Sequence, residues 1–432
     1  MTPLPDHPSS TSRWLAPLLG VITLGGAIGA AWWALSPSPP TPVERARAFY
    51  ASLPEFQRPM PYTPVPEGLT DLRASTCGTC HKAIYEEWRV STHARAWLGD
   101  AQFQEELAKS ERSGVAWMCV NCHTPLENQL ERLVIGLEDG RVEAPITIAN
   151  PNFDPELQLD AITCATCHVR DGVILGPYGD TDAPHPVRHD PTLRQVETCT
   201  PCHQALARFD RIALACFFDT GQEWADSPYA EEGVTCQRCH MPEVTRPLTV
   251  LNTPPRSTRR HWFGGSLIPK HPDFAAELKP LQEVYPDGVE VSWAEPPTSL
   301  APGAEVTLTA VATNANAGHK MPSGDPERFL IIEARVLDAS GAVLAERKER
   351  IGSVFEWYPE VKKLSDNRLL PRESRRFPLR FTAPERGEVR LELKASKWRL
   401  SEENMRYHDL EGRAVPGRVY HDTAQTVPVE AR

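Results

Sequence analysis

The chain has 432 residues, of which 41% are hydrophobic and 24% are charged, and its formal net charge at pH 7 is −11. An acidic protein is repelled by a phosphate backbone, so this charge argues against a nucleic-acid partner. It is compatible with a basic protein partner, and equally with an acidic surface that is simply solvated.

The first element predicted along the chain is a membrane segment. Residues 14–35 carry no charged side chain, and a helix of that length spans the ~30 Å apolar core of a bilayer. Tryptophans, which favour the membrane interface, lie at both ends of the stretch, at Trp14, Trp32 and Trp33. Because Arg13 precedes the span, we predict a cytoplasmic tail at 1–12, an inner-membrane anchor at 13–35 and a periplasmic location for the rest. A cleaved signal peptide over the same residues is the alternative.

A proline-rich segment follows at 36–66. This composition predicts an extended, semi-rigid linker that holds the next domain away from the membrane. A short helix at 44–51 is expected to interrupt it.

The pattern C-x-x-C-H then occurs five times, at intervals of roughly forty residues. The five sets are Cys77, Cys80 and His81; Cys119, Cys122 and His123; Cys164, Cys167 and His168; Cys199, Cys202 and His203; and Cys236, Cys239 and His240. Two thiols at this spacing can each form a thioether with one vinyl group of a heme, and the histidine that follows supplies a ligand to the iron. We therefore predict five covalently bound c-type hemes in a cytochrome domain at 67–280.

Three other uses of cysteine explain the pattern less well. A zinc site needs no histidine directly after every second cysteine, and neither does an iron–sulfur cluster. A disulfide framework gives no reason for identical spacing repeated five times. Export across the membrane agrees with heme attachment, because c-type hemes are attached outside the cytoplasm.

The cytochrome domain is predicted to be mainly helical and irregular. Helices are expected at 82–93 and at 204–215, where apolar residues partly keep helical spacing. Little strand is expected elsewhere. About forty residues per heme cannot also bury a separate apolar core, so the porphyrins themselves should form the core.

The remainder, 281–432, has a different pattern. Apolar and polar residues alternate in several short stretches separated by turn signals, which predicts strands. The predicted strands are 306–313, 329–338, 343–351, 375–382 and 388–395. Their number and spacing predict an immunoglobulin-like β-sandwich, here without cysteine.

The second axial ligand of each iron is less certain, because nine histidines lie outside the motifs. His7 is in the predicted tail. Met118 and Met241 adjoin motif residues and cannot easily fold back onto the same iron. Two histidines are therefore the expected ligands of most irons, which implies low reduction potentials.

Several segments resemble multiheme c-type cytochromes related to the tetraheme cytochrome that accepts electrons from hydroxylamine oxidoreductase. The resemblance covers about 70–330. Its specific pieces are Trp88-x-x-Ser91-x-His93, the Gly-Pro…His-Pro-Val segment with His185, Trp224-x-x-Ser227-Pro-Tyr-Ala, His261-Trp-Phe-Gly-Gly and Gly318-His319-Lys-Met-Pro-Ser-Gly. The resemblance implies that the second axial ligands are His93, His185, His261 and His319. The chain departs from that group in having five motifs and a long C-terminal sandwich.

Four such histidines for five irons leave one iron unassigned. His189 or His271 could supply the fifth ligand, or one heme could be open to a small molecule. His408 and His421 are expected to be surface or sandwich residues. The remaining thiol, Cys216, is expected to be a buried apolar residue, with iron ligation as the alternative.

These observations predict a membrane-anchored periplasmic cytochrome that passes electrons between a membrane-side donor and another redox protein. No catalytic residue is assigned. The alternative is a multiheme oxidoreductase that acts on a small nitrogen or sulfur compound at an open heme. Pentaheme nitrite reductases have the same heme number but typically carry lysine in place of one motif histidine, and here all five motifs end in histidine.

Overall fold

The computed structural model describes residues 39–178, 182–209, 214–251, 253–357 and 359–430. The predicted cytoplasmic tail (1–12) and membrane anchor (13–35) lie outside these residues. Among the described residues, no helix combines the length and apolar character needed to cross a bilayer.

The helices that precede the sandwich are short. Short helices agree with a region whose core is expected to consist of porphyrins rather than of side chains. They are Pro42–Ala51, Ala74–Gly78, Lys82–Trp88, Ala101–Arg112, Ala116–His123, Pro155–Gln158, Cys164–His168, Thr200–His203, Thr220–Ala225, Pro228–Glu231, Cys236–His240 and Ala275–Val284. Single 3₁₀ turns occur at Glu55–Gln57, Glu127–Gln129, Glu138–Gly140, Pro191–Arg194, Val196–Thr198 and Pro272–Phe274.

This part of the chain also contains small sheets. Antiparallel pairs join Arg132–Leu137 to Pro145–Ala149, Ala205–Phe209 to Leu214–Phe218, and Glu243–Arg246 to Arg256–Arg259. A three-stranded sheet contains Val169–Arg170, Val173–Gly176 and Val187–His189. The strand content is thus higher than the sequence predicted.

The helix predicted at 204–215 is wrong. The structure has a hairpin there, with Ala205 opposite Phe218 and Ala207 opposite Cys216. Ala205 and Ala207 are buried whereas Leu206 is 57% exposed. Burial therefore alternates with a period of two, the period of a strand.

The C-terminal region consists of two antiparallel sheets and one helix, Glu402–Tyr407. In spatial order, the first sheet contains Val289–Trp293, Glu305–Asn314 and Ser374–Thr382. The second contains Lys362–Asp366, Val343–Glu356, Phe329–Asp338, Gly387–Trp398 and Gly417–Val429. All five predicted strands fall within these elements, and three further strands were not predicted.

The two sheets share one large apolar core. Its members come from both inner faces and include Leu308, Ile332, Phe377 and Leu391, each at most 4% exposed. Before residue 289, buried apolar residues form only small separate clusters, such as Leu72 with Leu126 and Leu157. The sandwich can therefore be packed by its own side chains, whereas the motif-bearing region has no comparable core among its described residues.

Part of the predicted linker packs against the cytochrome region. Tyr50, at the end of the first helix, is 6% exposed and its hydroxyl accepts a hydrogen bond from the Val134 backbone N–H at 2.9 Å. Asn128 bonds both the N–H and the carbonyl of Thr63. Residues 46–66 therefore differ from the extended spacer that the prolines suggested, because their apolar and amide groups find partners.

Polar contacts fix the sandwich against the cytochrome region. Glu223, whose side chain is 1% exposed, pairs with Arg368 at 2.5 Å and accepts a hydrogen bond from Ser323 at 2.6 Å. Arg372 pairs with Glu232 at 2.7 Å. This interface holds the loop that contains His319 against the cytochrome region.

Candidate functional site

Each C-x-x-C-H motif forms about one helical turn. In the first motif the His81 N–H donates to the Cys77 carbonyl at 2.9 Å, and in the fourth the His203 N–H donates to the Cys199 carbonyl at 3.1 Å. Residues at i, i+3 and i+4 lie on one face of a helix. Both thiols and the imidazole of each motif therefore project to the same side, as attachment and ligation of one heme require.

All five motifs face a single cavity. Its volume is about 2530 Å³, several times the roughly 300–1,000 Å³ of a pocket for one drug-sized ligand. It is lined by all ten motif cysteines, by the five motif histidines, and by His93, His185, His261 and His319. The cavity thus has the position and the donor set for several c-type hemes.

Backbone carbonyls orient four of the motif imidazoles. His81 Nδ1 contacts the Leu248 carbonyl, and His123 Nδ1 contacts that of Ala96. His168 Nδ1 contacts the Leu175 carbonyl, and His240 Nδ1 contacts that of Gly264. A carbonyl oxygen can only accept, so Nδ1 carries the hydrogen. Nε2 is then left with a lone pair for a metal, which is the usual arrangement behind a metal-binding histidine.

Three of the predicted second ligands lie opposite a motif histidine. The ring centroids are 6.3 Å apart for His93 and His203, 6.2 Å for His168 and His261, and 6.3 Å for His240 and His319. An imidazole nitrogen binds a metal at about 2 Å, so two imidazoles on opposite faces of one ion have ring centres about 6 Å apart. These pairs have the spacing that one iron between them requires.

His185 lies near the first motif. It is close enough to His81 to lower the pKa of that imidazole, after the larger effect of burial. His185 Nδ1 is itself buried without a hydrogen-bond partner. The structure therefore brings His185 to the first motif.

His123 differs from the other motif histidines. Its ring stacks on Phe103, with centroids 3.4 Å apart and an angle of 5° between the planes. His189 is exposed, and Nδ1 of the part-exposed His271 accepts from the Asp273 N–H at 3.2 Å. Neither lines the described cavity, so neither fills the gap that the sequence left.

His408 does line the cavity. Its side chain is 8% exposed, and Nδ1 lies 2.7 Å from Lys109 Nζ. It was expected to be a surface or sandwich residue; it belongs to the C-terminal region, and the short helix Glu402–Tyr407 places its side chain against the cavity. We find no imidazole pair joining His408 to His123 among the described residues.

A buried carboxylate positions the His261 loop. Glu87, 4% exposed, accepts from Arg246 at 2.6 and 2.9 Å, from Arg260 at 2.6 Å, and from the His261 N–H at 2.9 Å. Burial raises the pKa of Glu87, but these hydrogen bonds and the Arg246 charge lower it overall. Sequence reasoning missed this network because its members are far apart along the chain.

Two glycines permit close packing beside the ligands. A Cβ at Gly264, whose carbonyl faces His240, would lie 2.5 Å from the Tyr285 ring. A Cβ at Gly318, directly before His319, would lie 3.3 Å from the Tyr229 ring. A methyl group at Gly264 therefore forces the His240 support to move, and one at Gly318 crowds the His319 loop.

The cavity keeps its histidines neutral. Burial, above all, lowers the pKa of His93 to about 3 and that of His203, His261 and His319 to about 4. Burial is likewise the largest cause that lowers the pKa of His123 to about 4. A neutral imidazole is the form that binds a metal, so these side chains are ready for ligation at pH 7.

Thiols of different motifs lie close to one another. Cys77 and Cys164, Cys122 and Cys202, and Cys199 and Cys236 are near enough to shift each other's pKa. Cys167 is also close enough to Cys202 to have its pKa raised by it, after the larger effect of burial. The attachment sites are therefore contiguous, and the fourth lies beside the second, third and fifth.

Cys216 lines the same cavity. Burial raises the pKa of its thiol, and the nearby Cys119 raises it further. The side chain thus remains a protonated thiol, in agreement with the apolar role predicted for it.

Comparison with known families gives one match. Residues 76–142 match the family described as "Cytochrome c554 and c-prime". The matched segment contains the first two C-x-x-C-H motifs and His93. No curated protein matches the chain.

Among solved structures, the chain is similar to the penta-heme cytochrome c552 from Thermochromatium tepidum. It has a TM-score of 0.55 and 17% identity, and it covers 84% of this chain and 100% of that one. Two further structures each align with 33% of the chain. One is the CARDB domain of the Pyrococcus furiosus protein PF1109, with a TM-score of 0.19 and 13% identity. The other is a glycosyl hydrolase family 2 member from Bacteroides cellulosilyticus, with a TM-score of 0.17 and 11% identity. The alignments cover 85% of the CARDB domain and 14% of the glycosyl hydrolase. TM-scores this low support no conclusion about the fold of this chain.

The fold, the motifs and the donor set define a multiheme c-type cytochrome. The chain has a cytochrome-like region that carries c-type heme motifs and a C-terminal β-rich region.

Proposed function

We propose that this protein is a pentaheme electron carrier, anchored in the inner membrane by residues 13–35, with its soluble part in the periplasm. It exchanges electrons with redox protein partners, one of them on the membrane side. Heme iron, when bound, supplies one-electron chemistry by cycling between its ferric and ferrous states. We take the two C-terminal sheets to be an immunoglobulin-like sandwich that supports the cytochrome domain.

The observation that carries this proposal is the set of imidazole pairs. His93 with His203, His168 with His261, and His240 with His319 each have a centroid spacing of 6.2 or 6.3 Å. Two histidines on one iron fill both axial positions and leave no place for a substrate. Such sites suit electron transfer rather than chemistry on a bound molecule.

The contacts between motif thiols support the same function. The attachment sites are contiguous, and the fourth lies against three others. Electron transfer between redox groups needs them close together, which this arrangement of the polypeptide provides. Because the fourth attachment site adjoins three others, electrons could enter or leave through more than one heme, which suits more than one donor or acceptor.

A second function is favoured at one site only. His123 has Phe103 against its ring and no imidazole pair among the described residues. An iron held there would have an axial position free for a small nitrogen or sulfur compound. This site supports the alternative of a multiheme oxidoreductase.

Electron paramagnetic resonance of the oxidised full-length protein separates the two functions. A carrier gives low-spin signals for all five irons and reduces a partner cytochrome without turning over nitrite or hydroxylamine. An oxidoreductase gives one high-spin iron together with turnover. His408→Ala is the companion variant: if His408 moves onto the iron at His123, the variant gains a high-spin signal that the wild type lacks.

A further inference from the structure

The cavity wall next to His203 and His319 contains a cluster of cationic side chains. The cluster consists of Lys270, Arg328 and Arg399, all of which line the cavity. Arg328 and Arg399 belong to the sandwich, directly before the strand Phe329–Asp338 and directly after the strand Gly387–Trp398. The sandwich thus brings two guanidinium groups to the heme cavity.

These three cations share one directly paired carboxylate. Asp100 is in contact with Lys270 and accepts from Arg399 Nη2 at 3.0 Å. Asp325 lies near Arg328, but its oxygens accept from the Glu327 N–H at 2.9 Å and from Gln102. Direct carboxylate contacts therefore reach two of the three cations.

Arg328 has no direct ion pair. Among the described residues no carboxylate lies within ion-pair distance of it, although the charges of Asp325 and Asp100 act on it from further away. Its Nη1 donates to the Ser323 carbonyl at 3.2 Å. Its Nε is buried without a partner, as is Arg399 Nη1. Buried N–H donors that lack an acceptor are unfavourable.

The three cations are close enough to act on one another. Burial lowers the pKa of Lys270 to about 8, the charge of Arg399 lowers it further, and Asp100 opposes both. Burial lowers the pKa of Arg328, and the charge of Asp325 opposes this effect. Arg328 also lies close enough to His203 and His319 to act on both electrostatically.

An acceptor in the cavity would satisfy the two unpartnered guanidinium nitrogens, Arg328 Nε and Arg399 Nη1. A carboxylate suits a guanidinium because its two oxygens match the planar N–H donors. Hemes carry two propionate carboxylates each, and the fourth and fifth attachment sites lie beside Arg328. This inference rests on the heme-binding function proposed above.

We propose that Arg328, supported by Lys270 and Arg399, is the binding site for propionate carboxylates of the hemes attached at the fourth and fifth motifs. The sandwich thereby contributes positive charge to those hemes. A buried cation favours the extra negative charge of the reduced state, so it raises the reduction potential. Arg328 is a positioning and tuning residue that touches the cofactor's carboxylate rather than its iron.

The experiment is a redox titration of the full-length holoprotein, followed by visible absorption. Arg328→Met should shift one or two of the five hemes to lower potential and leave the others in place. Arg328→Lys, which keeps the charge but loses the planar donor pair, should shift them less. Heme content is checked by mass, so that loss of heme, which would count against the function itself, is separated from loss of tuning.

Arg350→Met is the matched control. Arg350 is also a sandwich arginine, but it lies over the Phe329 ring, 4.5 Å from the centroid, and does not line the described cavity. Equal potentials in wild type and Arg328→Met, or equal shifts in Arg328→Met and Arg350→Met, would overturn the proposal.

Infrared difference spectra of reduction test the same contact should Arg328→Met fail to fold. Wild type and Arg328→Lys are produced with 5-aminolevulinic acid that carries ¹³C in its carboxyl group, which labels the heme propionates, and the labelled carboxylate bands of the two proteins are compared. Bands that differ support the contact, and identical bands refute it. Nitrite is also added to the oxidised wild type and to oxidised Arg328→Lys. An absorption change that occurs in the wild type and is absent in Arg328→Lys would show that Arg328 binds a free small anion and not a propionate.

Discussion

The imidazole rings of His240 and His319 lie 6.3 Å apart and are only 10° from parallel, although one belongs to the cytochrome region and the other to a loop of the sandwich. His319 Nδ1 donates to the Lys320 carbonyl at 2.9 Å, which leaves Nε2 free for a metal. A metal bound between the two rings would join the two regions by coordinate bonds.

His319→Ala should therefore change one heme and loosen the sandwich. We expect loss of about one fifth of the low-spin signal, since one of five irons loses an axial ligand, and a lower melting temperature. Visible and electron paramagnetic resonance spectra measure the first effect and calorimetry the second. His421→Ala, on the strand Gly417–Val429, should change neither; an unaltered spectrum in His319→Ala would remove His319 from the ligands.

The pairing of His319 was accessible from the sequence only through the resemblance of its loop to a known group. The motif cysteines and histidines could be recognised directly, because covalent attachment fixes their spacing. The carbonyls of Leu175 and Gly264 that orient two imidazoles could not, since a backbone acceptor leaves no side-chain signature. The lack of an imidazole partner for His123 likewise becomes visible only in three dimensions.

Likewise, some strands could be predicted from the sequence and others could not. The alternation in Phe329–Asp338 corresponds to one buried and one more exposed face, so that strand was predicted with its observed bounds. Lys362–Asp366 is exposed at every position and has no such pattern. The strand Ala205–Phe209 has no such apolar alternation, because its small alanines, rather than its leucine, occupy the buried positions, and its sequence therefore resembles a helix.

Glu87 should control the iron site of His168 and His261. Glu87→Gln removes the charge that pairs with Arg246 and Arg260 and weakens the hydrogen bond to the His261 N–H. We expect the low-spin signal of one heme to weaken or become high-spin. Glu86→Gln is the control, because Glu86 is the exposed neighbour that pairs with Arg89.

The same site should be sensitive to acid. The pKa of Glu87 is lower in the folded protein than its usual value of 4.5. Its contribution to stability is therefore present above that value and is lost as the pH falls through the lowered folded pKa. An acid titration of the wild type should lose this low-spin signal in that range; Glu87→Gln should not show the transition, and its presence there would point to a different group.

Glu327 should have the opposite pH dependence. Burial, followed by the charges of Asp325 and Glu106, raises its pKa to about 8. Its stability contribution is complete below about 4.5, the usual value, and is lost as the pH rises through the raised folded pKa. Glu327→Gln keeps an oxygen for the Asn404 amide and avoids the buried charge.

Calorimetry at two pH values checks this. At pH 9 the melting temperature of Glu327→Gln should exceed that of the wild type by about 2–4 °C, as expected for a change near 1 kcal/mol, and at pH 4.5 the two should agree. Glu388→Gln, at an exposed position, should match the wild type at both pH values. A Glu327→Gln variant that is less stable at pH 9 would show that this carboxylate has a favourable charged partner.

The number of free thiols shows how many cysteines are attached to heme, because Cys216 lies outside the motifs. Eleven cysteines occur in the chain and ten belong to motifs, so complete heme attachment leaves one free thiol. Because the thiolate is the reactive form and burial raises the pKa of Cys216, a thiol reagent should modify none in the folded protein and one after unfolding. Cys216→Ala should give none in either state while retaining full heme absorbance. More than one reactive thiol in the unfolded wild type would mean that at least one motif does not hold its heme through both sulfurs.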